Sequence, residues 1–394
     1  MKKNIVILFF YNMLFALPVV FSQNSNDSLA GNTSHDTTQS SFFNNALERT
    51  LSIFEWQRGG TTITTYPSFG YDPASAFTLG IMQTISFPHK DTSQYKRKTT
   101  LINYISYSTN NWINVRSTLG LYTRGGWAIN TRVQFQQSPD KYYGIGQNFR
   151  NTNPQTYEIK HLQVYGNCSH SLFFNEFFAG LTYDISYANI YNVNTNDNVL
   201  PENMLPKQKN NLLLGFGPYL AYDSRNDMNF PTRGNYLTAG LFLYPKYNNN
   251  SYGFYNYMSD LRTYIPIFEK QVLAVQFFSG CSQGDMPFYK LYQLGGTERM
   301  RGISNKYMYI DKYVYFTQAE LRRHLWGRVS VVVFGGIGNT YSNLRNTPDA
   351  VIKYVYGIGG RLQASKNEKI NLRIDYGRAR FNDSGLYLTV SEAF

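Results

Sequence analysis

Two cysteines in 394 residues, Cys168 and Cys281, are too few for a disulfide framework or a thiolate metal site. The five histidines are scattered, and His170, two residues from Cys168, has no further ligand nearby, which argues against a metal centre. Acidic residues are sparse, 25 against 37 lysines and arginines, a formal charge of +12. The basic residues are spread thinly, with one cluster at "KDTSQYKRK", residues 90–98, and no nucleic-acid motif accompanies them. An excess of this kind fits a wet lumen or a surface facing anionic lipid, and does not separate the two. Beyond residue 22 no run approaches the ~20 apolar residues of a membrane helix. Catalytic motifs are missing too. "GCSQG", residues 280–284, matches Gly-x-Ser-x-Gly but ends a strand-like segment with no helix behind it, and His324 is the one histidine downstream. "GGTERMRG" lacks the Gly-Lys-Ser/Thr ending of a phosphate loop. The expectation is a non-enzyme without a cofactor or metal, and with no nucleic-acid partner.

What is present begins with an export signal. Met1-Lys2-Lys3 precedes an almost wholly apolar stretch, residues 5–21, and Val20-Phe21-Ser22 supplies a small-residue cleavage pattern. Residues 1–22 therefore read as a cleaved signal peptide, and the charge falls to +10 once Lys2 and Lys3 leave with it. Residues 23–60 read as a polar leader and lead-in segment. Within them "FNNALERTLSIFEW" fits a short amphipathic helix or an extended strand equally well. The chain also carries 34 tyrosines and 28 phenylalanines. Many buried tyrosines are a burden in a water-soluble core, because each hydroxyl needs a partner. Aromatic belts at the two faces of a membrane barrel use them readily.

From Thr61 onward the hydrophobic period is two. In "KYVYFTQAELRRHL", Tyr313, Tyr315, Thr317, Ala319 and Leu321 share one face. Lys312, Gln318, Glu320, Arg322 and His324 share the other, where Val314 and Phe316 are apolar exceptions. In "KINLRIDYGR", Ile370, Leu372, Ile374 and Tyr376 oppose Asn371, Arg373 and Asp375. A soluble sandwich and a lipid-facing barrel both produce this alternation. The signal peptide, the tyrosine load and the lack of a second covering layer favour the barrel. About sixteen such segments lie between 61 and 394, an even number, with mostly brief connectors after even segments and the longest after odd ones. The predicted fold class is all-β: a transmembrane antiparallel β-barrel over residues 61–394, set in outer-membrane lipid and lipopolysaccharide. On this strand map Cys168 and Cys281 fall near opposite rims and stay free thiols.

One passage breaks the alternation. "QLGGTERMRGISNKYMY", residues 293–309, is rich in glycine and arginine and falls between the eleventh and twelfth segments, on the external side. With "YDSRNDMNFPTRG", "AELRR", "FGGIGNTY", "YGIGGRL", "RIDYGRA" and the final Phe394, in that order, it resembles the BamA/TamA superfamily of outer-membrane assembly and translocation barrels, also called the bacterial surface antigen family. The resemblance spans about residues 61–394. It implies that the loop folds into the lumen and that Arg301 meets an acidic residue on the inner wall, for which Glu320 is the match. Gly302 then lets the backbone approach the wall, and Gly295 and Gly296 permit the sharp re-entry. Arg322 and Arg373 are further inner-wall candidates. The family's second acidic position is occupied here by Gly336, so the clamp is expected to be one-sided unless Asp375 substitutes. Assembly members of the family carry periplasmic POTRA domains, for which residues 23–60 have no room. The resemblance therefore implies separate periplasmic partners, a POTRA-type protein or an enzyme, with outer-membrane proteins as clients.

Two functions stay open on the sequence. One is an insertase or translocase that opens laterally where the first and last strands meet. Pro67 and Gly70 in the first strand and Phe394 at the end mark that seam, because a proline there removes a ladder donor. The other is a passive, anion-favouring pore or a structural barrel that anchors a periplasmic enzyme.

Overall fold

A computed structural model describes residues 55–88, 97–123, 125–145, 154–173, 175–194, 210–248, 251–305, 308–343, 351–365 and 369–394. The expected signal peptide and all of the leader before Glu55 lie outside them. Among the described residues, sixteen strands close into an antiparallel ring. The wall begins with β1 (Thr61–Asp72), β2 (Ala76–Ser86), β3 (Thr100–Ser108) and β4 (Ile113–Tyr122). It continues through β5 (Trp127–Tyr142), β6 (Gln155–Ser171), β7 (Phe177–Tyr191) and β8 (Asn210–Asp223). Next come β9 (Gly234–Tyr244), β10 (Gly253–Phe268), β11 (Gln271–Asp285) and β12 (Tyr313–Trp326). The ring ends with β13 (Val329–Tyr341), β14 (Lys353–Ser365), β15 (Ile370–Ala379) and β16 (Asp383–Val390). Each corresponds to one of the expected segments, displaced by a few residues at its ends.

The period of two dictates which side chains meet lipid. Along β15, Ile374 and Tyr376 point outward while Arg373 and Asp375 are buried inside. Ile358 and Leu181 are exposed by 64% and 63%, and other strands project Ile81, Ile105, Val133 and Ile337 the same way, as a hydrocarbon surround allows. Trp127, Phe173, Phe268 and Trp326 project at the short-turn end, where an aromatic girdle marks the periplasmic interface. Cys168 and Cys281, on β6 and β11, are free thiols.

Neighbouring strands are zipped over most of their length, as in β5 and β6, paired from Trp127 opposite His170 to Tyr142 opposite Gln155. The closing seam differs. Tyr71 opposite Leu388 is the single register pair that joins β1 to β16. The near end of the same edge of β1 is covered by a short lead-in strand, Glu55–Arg58, in which Glu55 faces Thr64 and Arg58 faces Thr61. Gly59 and Gly60, with φ of +57° and +81°, make the two-residue turn, and that Gly-Gly pair is the sequence signal for it. The sheet thus starts six residues before Thr61.

The turn between β8 and β9 lies across the short-turn mouth. Arg97, before β3, contacts the Asp223 carboxylate at 2.9 Å, and Arg225 holds the same carboxylate at 2.9 Å. On the far side Asp227 pairs with Lys369, before β15, at 2.9 Å. Asp227 Oδ1 also accepts from the Asn229 and Phe230 backbone amides, which fixes the turn's own shape.

Candidate functional site: the loop inside the barrel

The described residues between β11 and β12, 286–305 and 308–312, turn back into the lumen. Leu294, Met300 and Ile303 are fully buried and pack on Phe278 of β11 and on Val314 and Phe316 of β12. The two apolar exceptions on the inner face of β12 are therefore the landing site of the loop. Backbone conformation requires glycine at two points. Gly295 has φ of +124° and Gly302 has φ of +122°. A Cβ on Gly302 would sit 2.8 Å from the Arg378 carbonyl, and one on Gly377 would sit 2.5 Å from the Arg301 carbonyl oxygen. Loop and β15 backbones touch here with no room for a methyl group. Gly296, with φ of +107°, lies at the same bend.

That approach aims Arg301 at the wall. Its Nη1 donates to Asp375 Oδ2 at 2.5 Å, its Nη2 donates to Glu320 Oε1, and its guanidinium lies 3.9 Å from the centre of the Phe334 ring. The second Glu320 oxygen accepts from Arg322 Nε at 2.8 Å, and the second Asp375 oxygen accepts from Arg361 Nη1 at 2.6 Å. Arg361 Nε continues to Glu392 at 2.9 Å. Arg373 stands 3.6 Å from Asp375 and donates to Thr389 and to the Thr297 carbonyl of the loop. Four guanidiniums and three carboxylates thus form one buried network. A charge taken out of water is tolerable only with this density of partners.

The acidic partners are Glu320 and Asp375, on β12 and β15; the clamp is two-sided although Gly336 carries no acid. The reason lies in packing. A Cβ on Gly336 would sit 3.0 Å from the Met300 sulfur, so the loop's own methionine takes the space an acidic side chain needs.

The loop also bonds the last strand. Tyr387 of β16 accepts from the Gly302 amide and donates to the Ile303 carbonyl, each at 3.0 Å, and Asp383 accepts from the Ser304 amide at 2.9 Å. A second anchor escaped the sequence reading. Lys290, in the short 3-10 turn Phe288–Lys290, meets Asp184 of β7 at 2.7 Å, and Tyr244 donates to the same carboxylate at 2.6 Å. Phe288 beside it packs edge-on against Tyr142 and Tyr157. An acid on β7 and a lysine over a hundred residues later carry no mutual signal in one sequence. At the loop's far end, burial raises the Asp311 carboxyl to about 6. Lys312 and Ser342 hydrogen bonds, and the charges of Lys312 and Lys353, offset only part of that.

The expected seam residues separate. Gly70 lies at the seam: a Cβ there would sit 3.1 Å from the Leu388 carbonyl oxygen. Pro67 lies in the stretch of β1 between Thr64, the last partner of the lead-in strand, and Tyr71. Phe394 is not at the seam. It turns into the lumen to pack with Tyr264, Val272 and Ala274, and its carbonyl accepts from Arg322 at 2.9 Å. The reason is the pull of the buried Arg322 guanidinium, whose ring contact with Phe394 is 5.5 Å. Ser282, the serine of "GCSQG", is buried on β11; its amide donates to the Lys312 carbonyl at 2.8 Å, while its hydroxyl has no hydrogen-bond partner among the described residues.

A lipid-facing barrel of sixteen strands with an arginine-bearing loop bonded to its inner wall defines a class of outer-membrane protein. The family comparison agrees: residues 105–390 match the Omp85 superfamily domain, and the chain belongs to that superfamily, whose barrels are transporters and insertases. Among solved structures it is similar to BamA from Haemophilus ducreyi lacking POTRA domains 1–3. The identity is 15%, with 94% of this chain and 80% of that one covered and a TM-score of 0.57. It is also similar to CdiB from Escherichia coli (12% identity, 86% and 63% covered, TM-score 0.55). CdiB from Acinetobacter baumannii gives 11% identity, 84% and 59% covered and a TM-score of 0.51, so the chain spans about three fifths of each CdiB. A comparison with curated protein sequences gives no match.

Proposed function

We propose that this barrel inserts proteins into the outer membrane, or translocates them across it, by parting β1 from β16, and that it receives them from separate periplasmic partners. The observation that carries this reading is the seam, where Tyr71 opposite Leu388 is the one register pair while other strand pairs are zipped. Antiparallel pairing contributes by ladder hydrogen bonds and cross-strand contacts, so a seam with a single register pair is the least costly place to open. The internal loop controls that opening in this proposal. It is clamped to Glu320 and Asp375 and also bonds Tyr387 and Asp383 of β16, so the seating of the loop positions the strand that must move. The loop and the β8–β9 turn occupy the lumen and its short-turn mouth, which supports a gated barrel over a passive anion pore.

The test is a reversible cross-link. Register partners lie about 4.5–5.5 Å apart between Cα atoms, within reach of a disulfide. Tyr71→Cys with Leu388→Cys, in a Cys168→Ser/Cys281→Ser background, is expected to abolish outer-membrane protein assembly or translocation when oxidised and to restore it on reduction. Full activity of the oxidised barrel would refute seam opening.

A further inference from the structure

A cavity of about 460 Å³ lies in the lumen between β1–β5, the loop and the end of β16. Its wall holds two arginines that make no close ion pair, although the charge of Glu298 on the loop acts on Arg116 from farther away. Arg116 of β4 pairs across the sheet with Tyr104, and Arg132 of β5 pairs with Tyr165. Arg132 is the partner of Thr118, two residues from Arg116 on the same face, so the two guanidiniums are diagonal neighbours. Each rests on its tyrosine, at 5.2 Å and 5.5 Å from the ring centre, and Arg132 donates to the Tyr165 hydroxyl at 2.8 Å. Neither has a carboxylate within 4.0 Å among the described residues. Arg373, also on the cavity wall, has no hydrogen bond at Nη1, which stands 3.6 Å from Asp375.

Polar atoms of the other kind are unpartnered there too. Asn114, two residues from Arg116, has a buried side-chain oxygen without a donor. The rest of the wall mixes serines and threonines with apolar side chains such as Met82, Ile102 and Leu388, and includes Trp112. We propose that this cavity binds a small hydroxylated anion, a sugar phosphate or sugar acid. Neighbouring like charges repel and stay stable together where an anion sits between them. Paired guanidiniums on aromatic faces suit a multi-oxygen anion, and an unpartnered amide oxygen suits a hydroxyl donor. The volume suits a sugar-sized body better than a bare phosphate. The carboxylates on the wall do not fill the role. Glu392 is held by Arg361 and Asn371, and Asp72 accepts from the Ala74 amide. Glu298, on the loop, is in no ion pair closer than 4.0 Å among the described residues; its charge acts on Arg116 from farther away and opposes an incoming anion.

The test uses the full chain in detergent micelles with glucose 6-phosphate as the probe, glucose and inorganic phosphate as comparators, and calorimetry together with the fluorescence of Trp112. Glucose 6-phosphate is expected to bind saturably, glucose not at all, and inorganic phosphate more weakly. Arg116→Gln and Arg132→Gln should each weaken binding at least about tenfold, the scale of a charged hydrogen bond. Glu298→Gln should tighten it. Arg116→Lys, which keeps the charge and loses the fork, supplies a second variant should Arg116→Gln fail to fold. No saturable binding to the native chain overturns the proposal. So does undiminished binding in the arginine variants with native heat-modifiability. Inorganic phosphate binding as tightly as the sugar phosphate overturns the sugar-sized occupant.

Discussion

On β12–β16 the inward arginines each have a carboxylate within 4 Å, whereas Arg116 on β4 and Arg132 on β5 rest on tyrosines. The same barrel therefore treats buried charge in two ways. Where the loop excludes water, ionic groups come in a network that uses both oxygens of Glu320 and both of Asp375. Around the cavity, Arg116 and Arg132 lie on tyrosines with no carboxylate within 4.0 Å among the described residues, while Arg373 on the same wall keeps Asp375 at 3.6 Å. A guanidinium packed against the loop takes a close carboxylate, and one held on an aromatic face beside the cavity does without.

Glu320→Ala should break this contrast most strongly. It leaves Arg301 and Arg322 buried and short of a partner, at a cost of about 3–5 kcal/mol. The expected result is a lower heat-modification temperature and rapid proteolysis within residues 286–312; unchanged values for both would show that the loop is held by other contacts. Gly302→Ala should cost about 1–3 kcal/mol, because it forces an unfavourable φ and a clash with Arg378. The same two measurements report it, and a native-like result would mean that the loop and β15 separate freely. Lys290→Ala should cost about as much, on the order of 1–3 kcal/mol, since Asp184 keeps hydrogen bonds from Tyr244 and Gln163. Its proteolysis should appear near residues 286–292 while the Arg301 end stays protected. Equal loosening at both ends would show that the two anchors act as one.

The smallest effect is a pH dependence. With Asp311 raised to about 6 in the packed loop and close to 4 when released, packing is tightest below about pH 4. It weakens between about pH 4 and 6 as the released form ionises first, and stays constant above. Loop proteolysis should therefore be slower at pH 5 than at pH 7.5, and Asp311→Asn should remove the difference. A slope of opposite sign would mean that Lys353 or Lys312 stabilises the ionised form.

Much of the wall was legible because lipid outside and water inside leave only one arrangement for alternating side chains. Arg301 and Glu320 were legible through a resemblance in motif order. Asp375 stood in the sequence as a possible substitute acid and needed the position of β15 beside the loop to decide it, and Lys290 with Asp184 needed contact across the lumen. Phe394 was misplaced because strand periodicity says nothing of a chain end leaving the wall for a buried arginine. Val314 and Phe316 looked like faults in the pattern and are the floor on which Leu294, Met300 and Ile303 pack.

The amino-acid sequence alone determined the number of strands, their inner and outer faces and the place of the insert, since each depends on local alternation and turn residues. That both Glu320 and Asp375 hold Arg301 at once, how weakly β1 holds β16, and which arginines lack a close carboxylate were decided only by closing the ring. Those outcomes depend on distances between segments far apart in the chain, which periodicity does not encode.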